Sequence, residues 1–112
     1  MTALTLLFPG VGSQYPGMAA SLAARSDVLR ETMTEAGLAV GTDLLGLCCE
    51  GGRGAELDTL RHAQLAVLAM SVACYRCFRD ELGLEAHFAL GHSLGEYAAL
   101  CCAGVISFRD VL

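Results

Sequence analysis

Gly91-His92-Ser93-Leu94-Gly95 sets a serine between two glycines, each two residues away. An apolar run precedes it and a stretch of helix-forming composition follows. A serine presented on a tight strand-to-helix turn adopts strained dihedrals, and its neighbours two residues away must be tiny to avoid collision. Glycine at 91 and at 95 meets that demand. A helix that begins just after the serine aims unpaired backbone N–H groups, and the positive end of its dipole, at the surroundings of the seryl oxygen. The pattern points to nucleophilic chemistry at Ser93, with the N–H of Leu94 as the natural first donor to an oxyanion.

A tetrahedral oxyanion needs a second donor, which normally comes from a loop after a neighbouring strand. The segment PGVGSQYPG, residues 9–17, is such a loop, and Gly10 and Gly12 allow its backbone to approach closely. A phosphate-binding reading of the same loop is weaker, because Pro16 interrupts it and no lysine follows. The plainer alternative is that both glycine-rich segments are only tight turns of an α/β fold. Three histidines are available as a base. His92 adjoins the serine, but neighbours on a sharp turn point their side chains apart, which disfavours direct capture of its proton. His62 is expected ahead of a long helix, and His87 within a strand.

These groups need elements to position them. Residues 4–8, LTLLF, are expected to form a short buried strand ended by Pro9-Gly10. MAASLAAR, residues 18–25, follows as a helix. Ser26 has the character of an N-cap, with Asp27 in the first turn of a second helix ending near Gly37. TDLLGLCCEGGRG, residues 42–54, gives one short helical piece and then a flexible loop. Ala63 to Leu82 is expected to be one long helix, apolar nearly all round in its first half and ended by Gly83. Residues 86–91, AHFALG, form a second buried strand. Residues 94–103 form a helix with Gly104 after it, and Ser107 or its neighbour caps a further one. Strand, long helix and strand define an α/β domain with a parallel sheet and flanking helices.

Composition bounds the rest. The chain has 112 residues, 54 % hydrophobic and 17 % charged, which is enough for one domain with a modest core. The apolar excess suggests elements buried on both sides, or buried against something outside these residues. All basic residues are arginine and the net charge is −5, with no basic cluster, which argues against nucleic acid as a partner. No uninterrupted apolar run reaches the roughly 18 residues of a membrane span. MTALTLLFPG lacks the basic start of a signal peptide, so a cytoplasmic setting is expected. Six cysteines occur as Cys48-Cys49, Cys74-x-x-Cys77 and Cys101-Cys102. They read as reduced, small buried residues, and no metal is expected.

Three segments together, FPGVGSQYPGM, HAQLAVLAMSVA and GHSLGEYAALCCAGVISFRDVL, resemble malonyl-CoA:acyl-carrier-protein transacylases and the acyltransferase domains of fatty-acid and polyketide synthases. The similarity runs from about Leu4 to Leu112 in the family's order and spacing. It implies an α/β-hydrolase-like large subdomain, incomplete here, with a smaller ferredoxin-like subdomain absent. It implies ping-pong transfer of a malonyl or related acyl group from coenzyme A, through an acyl-serine, to the phosphopantetheine thiol of an acyl carrier protein. No further cofactor is implied.

By position Ser93 matches the nucleophile, and Leu94 and Val11 match the oxyanion N–H donors. The family usually has glutamine where Val11 stands; a backbone donor survives that change, while the side-chain contacts do not. Gln64 and His92 match residues lining the substrate site. The family's base is a histidine in the second half of the domain, and an arginine shortly past residue 112 binds the malonyl carboxylate. Residues 1–112 are therefore expected to be the N-terminal portion of one acyltransferase domain of ~280–320 residues. The isolated chain is expected to be inactive until the remainder, in the same or a second chain, completes it. An acyl hydrolase of the same fold, or a non-catalytic fragment that needs a partner chain, are the alternatives.

Overall fold

A computed structural model describes residues 3–112; Met1 and Thr2, which open the N-terminal stretch, lie outside the described residues. The elements in chain order are β1 (Thr5–Phe8), α1 (Ala20–Ala23), α2 (Asp27–Val40), α3 (Leu44–Cys49), α4 (Gly54–Leu57), α5 (Leu60–Leu82), β2 (Phe88–Gly91), α6 (Gly95–Cys102) and α7 (Phe108–Val111). The two strands pair in parallel, from Thr5 opposite Phe88 to Phe8 opposite Gly91. Parallel neighbours need a long crossover, and the helices α1 to α5 provide it. This is the expected α/β arrangement of a small parallel sheet with helices.

Two helices dominate the packing. Ser26 caps α2 by accepting the N–H of Leu29 at 3.1 Å, as its position promised. Leu29, Met33 and Ala36 then recur on one face and are fully buried against α5. From α5 come Ala66, Ala69, Val72 and Ala73, whose small side chains allow the helices to pack closely. Leu44 and Leu47 of α3 and Leu57 of α4 close the core at 0 % exposure. Each such leucine contributes about 1.5–3 kcal/mol by leaving water.

The sheet is covered on one face only. Phe8 is buried and α6 packs across both strands, whereas Leu7, Phe88 and Leu90 are 75 %, 63 % and 60 % exposed on the other face. The strands are thus half-buried, not buried on both sides as their continuous apolar character suggested.

Several boundaries differ from expectation for identifiable reasons. Helix α2 runs past Gly37 to Val40 and ends at Gly41, whose φ of 71° is left-handed. Gly37 is there for packing: a Cβ on it would stand 2.6 Å from the Thr42 carbonyl oxygen, where the chain turns back. Within the expected loop after α3, Arg53 pairs with Glu56 at 2.9 Å and Leu57 is buried, which closes the single turn of α4. Helix α5 begins at Leu60, so His62 lies in its first turn and not before it. His87 stands just ahead of β2, outside the strand. Its Nδ1 accepts the backbone N–H of Leu4 at 3.2 Å. Cys74 is exposed, against the expectation for it, while Cys77 is buried with its Sγ 3.1 Å from Ser26 Oγ.

The buried thiols make stability pH-dependent. Burial pushes the Cys48 and Cys102 thiols from 9.0 up to about 12. The native state then holds these protons more tightly than the unfolded chain does. Their contribution is intact below pH ~9 and is lost as pH rises towards 12. We expect the urea midpoint to fall between pH 8 and pH 10.5, and to fall less in a Cys48→Ala variant; unfolding curves at the two pH values check this.

Candidate active site

The site begins where β2 ends. His92 N–H donates to the Phe8 carbonyl oxygen at 3.0 Å, the last rung joining β2 to β1. The chain then reverses sharply. Ser93 has φ of 54°, the only non-glycine residue in the left-handed region among those described. Glu96 N–H donates to the Ser93 carbonyl at 3.0 Å and Gly95 N–H to that of His92 at 2.9 Å, which launches α6 at once. The left-handed conformation costs a side-chain-bearing residue of order 1–3 kcal/mol, so the surroundings must enforce it.

The two flanking glycines show how. A Cβ on Gly91 would lie 2.1 Å from the Gly95 carbonyl carbon, because the turn folds one glycine directly onto the other. A Cβ on Gly95 would lie 2.3 Å from the Phe8 carbonyl oxygen and 2.8 Å from that of Pro9. The start of α6 therefore sits against the end of β1. That contact brings the loop after β1 beside the serine: a Cβ on Gly10 would be 2.9 Å from the His92 carbonyl oxygen and 3.6 Å from Ser93 Cβ. Ser93 is exposed between the two turns, and its hydroxyl has no hydrogen-bond partner among the described residues.

Val11 follows Gly10 and is 44 % exposed. Among the described residues neither its N–H nor that of Leu94 donates to another group, which leaves both available. Gln14, which sequence reasoning passed over, ties this loop down. Its side-chain oxygen accepts the N–H of Gly12 at 2.9 Å, and its amide nitrogen donates to Asp58 Oδ1 at 3.2 Å. Gly12 holds φ of 108°, a conformation that such a side-chain bridge can fix. The signal in the sequence was an amide side chain two residues past a loop glycine.

Gln64 is exposed on the first turns of α5 and shares an open groove of about 660 Å³ with Leu94, Tyr97, Arg61 and Arg109. His92 is exposed, with its Nδ1 against Gly10. The structure thus gathers Gly10, Gly91, His92, Ser93, Leu94 and Gly95 at one point and links Gln64 to them through the groove. It does not bring a second histidine there. His62 is bonded through Nδ1 to the Glu56 carbonyl at 3.1 Å, and His87 to Leu4.

A side chain held at positive φ between a parallel strand and a helix, with glycines packed on either side, is the nucleophile-elbow arrangement of α/β enzymes. The family described as acyl transferase domain matches residues 5–112, and the chain belongs to it. The malonyl CoA-acyl carrier protein transacylase of Escherichia coli strain K12 is 45% identical over 112 residues, covering 100% of this chain and 36% of that protein. The crystal structure of an acyl-carrier-protein S-malonyltransferase from Burkholderia pseudomallei superposes with a TM-score of 0.91 at 40% identity, over 99% of this chain and 36% of the other. A malonyl-transacylase in complex with its type II polyketide-synthase acyl-carrier protein superposes with a TM-score of 0.90 at 42% identity, over 98% of this chain and 35% of that one. The chain thus spans about a third of the length of the relatives it matches. No helix among the described residues is long and apolar enough to cross a membrane.

Proposed function

We propose that residues 1–112 supply the nucleophile half of a malonyl-CoA:acyl-carrier-protein transacylase. The observation that carries this is Ser93, at φ of 54° and exposed beside the Gly10–Val11 loop. In this reading Ser93 Oγ attacks the thioester carbonyl of malonyl-CoA. The N–H groups of Leu94 and Val11 receive the charge that develops on the carbonyl oxygen, coenzyme A leaves as the thiol, and a malonyl-serine ester remains. The phosphopantetheine thiol of an acyl carrier protein then attacks that ester and restores the serine. Gln64 and His92 line the substrate site.

The base that takes the serine proton, and the arginine that recognises the malonyl carboxylate, come from the remainder of the acyltransferase domain. So does a smaller ferredoxin-like subdomain, beside the α/β-hydrolase-like part present here. The open outer face of the sheet, with Leu7, Phe88 and Leu90 in water, fits a domain completed by further protein. The reaction uses soluble partners and belongs in the cytoplasm.

Intact mass of the complete domain after incubation with malonyl-CoA tests this reading. We expect one malonyl adduct, placed on Ser93 by peptide mapping, and its passage to holo-carrier protein when that is added. An adduct that goes to water and never to the carrier would identify a hydrolase instead. A folded complete domain that takes up no acyl group on Ser93 sinks the proposal.

The oxyanion role of Val11 has its own test, because the donor is backbone. We expect Val11→Ala to change the single-turnover acylation rate less than about threefold. Val11→Pro, which removes the N–H, should lower it about 10²- to 10³-fold. Stopped-flow acylation of the two variants, with thermal unfolding as the control for folding, separates these outcomes.

A further inference from the structure

Arg76 lies about two-thirds of the way along α5 and meets three other helices. Its Nη1 donates to Glu35 Oε2 on α2 at 2.8 Å and to the buried Thr32 Oγ1 at 3.3 Å. Its guanidinium carbon stands 4.9 Å from the centre of the Phe108 ring, the first residue of α7, which is itself 5 % exposed. The same charge pulls the Cys101 and Cys102 thiols, in the last turn of α6, down against the burial that raises them. One cation thus binds α2 by its edge and α7 by its face, beside the end of α6.

What α7 does next gives this contact its meaning. Ser107 caps it by accepting the N–H of Asp110 at 3.1 Å, so Phe108 fixes the helix at its first turn. Arg109, Val111 and Leu112 then form one wall of the groove that also holds Leu94 and Gln64. The position of that wall relative to Leu94 depends on how α7 leaves α6. A planar guanidinium can hold a carboxylate at its edge and a ring on its face at once, and a lysine cannot. Stacking of this kind is strong enough to select one orientation of a short helix.

We propose that Arg76 is a positioning residue that sets the width of the acyl groove beside Ser93 by anchoring the first turn of α7 through Phe108. The inference rests on the acyltransferase reading above. It places acyl-group selection partly in a residue that never touches the substrate. In this reading the groove, lined by Leu94 and Gln64 but not by Ser93 itself, receives the far end of the acyl group and not the reacting carbonyl. Loosening it changes which acyl groups fit, and leaves the nucleophile in place.

The experiment compares kcat and KM for malonyl-CoA and acetyl-CoA in the complete acyltransferase domain carrying Arg76→Lys, Phe108→Leu or both. Arg76→Lys keeps a charge for Glu35, and Phe108→Leu keeps an apolar group in the same space. Each should lower the preference for malonyl over acetyl by roughly fivefold, mainly through KM, as the loss of about 1 kcal/mol of stacking predicts. Labelling of Ser93 by a small fluorophosphonate should stay at the wild-type rate. The double variant should be no worse than either single one, because the two changes remove one contact. A preference unchanged in both single variants, or additive effects in the double variant, overturns the inference. Should Arg76→Lys fail to fold, Phe108→Leu alone decides. Failure of wild-type Ser93 to accept any acyl group overturns the acyltransferase reading itself, an outcome distinct from unchanged selectivity in an acylated enzyme.

Discussion

Replacing Ser93 with alanine should abolish acyl transfer in the complete domain, while replacing it with glycine should abolish transfer and stabilise the fold. The first half follows from the proposed chemistry. Without Oγ no acyl ester forms, and loss of a serine nucleophile typically costs about 10⁴- to 10⁶-fold in rate. The second half follows from the backbone alone. Ser93 is held at φ of 54°, where a Cβ crowds the following carbonyl and glycine has no Cβ to crowd. Ser93→Gly should therefore raise stability by about 1 kcal/mol, and Ser93→Ala, which keeps the Cβ, should leave it nearly unchanged. Intact mass after malonyl-CoA and urea unfolding of the three proteins check both halves. A serine whose removal improves the fold is one retained for its chemistry. Equal stability of the glycine and alanine variants would remove the case for strain at this turn.

The second large effect is expected at Gly95. A Cβ there would come within 2.3 Å of the Phe8 carbonyl oxygen and 2.8 Å of the Phe8 carbonyl carbon. Those atoms belong to a strand whose hydrogen bonds to β2 fix them, so no flexible side chain can swing aside. Overpacking usually costs about 1–3 kcal/mol where neighbours can adjust. Gly95→Ala should lie at or above the top of that range, because α6 must lift off β1. The movement would also carry Leu94 away from the Gly10–Val11 loop, so acylation should fall even in whatever fraction folds. Gly51 is the matched control: a Cβ there meets nothing within 4 Å, and Gly51→Ala should leave the melting temperature nearly unchanged. Thermal unfolding of the two variants reads the contrast, and equal melting temperatures would show that the sheet-to-helix contact is looser than the geometry indicates.

Much of this architecture was legible because the apolar runs are clean. LTLLF is ended by Pro9-Gly10, FALG follows Gly83 and ends on Gly91, and α5 is long enough that helix and strand are not confused. Parallel pairing followed from a helix-rich connection between two strands. Two of the boundary differences share a cause: a glycine that reads as a break instead serves a contact. Gly37 lies inside α2 because Thr42 packs over it, and Gly54 opens α4 because Arg53, Glu56 and the buried Leu57 hold that turn. Local composition does not report such partners.

The site was legible to the same depth and no further. G-x-S-x-G carries its own geometric requirement, so the elbow could be placed from five residues. The bond between Gln14 and Asp58 spans 44 residues, and the contact between Arg76 and Phe108 depends on how α5, α6 and α7 meet. Neither has a local signature.

The parallel pairing of β1 with β2 also has a consequence in time. The hydrogen bond from Leu4 to His87 closes a loop of 83 residues, and forming it costs about 4 kcal/mol of chain entropy before any neighbouring contact offsets it. Helices α2 to α5 depend on nearer contacts and can mature without it. The Gly10–Val11 loop leaves a ribosome before residues 88–95 do, and it has nothing to face until they follow. Assembly of the Ser93 turn against that loop is therefore a late event, and a chain interrupted before β2 would keep most of its helical core without that turn.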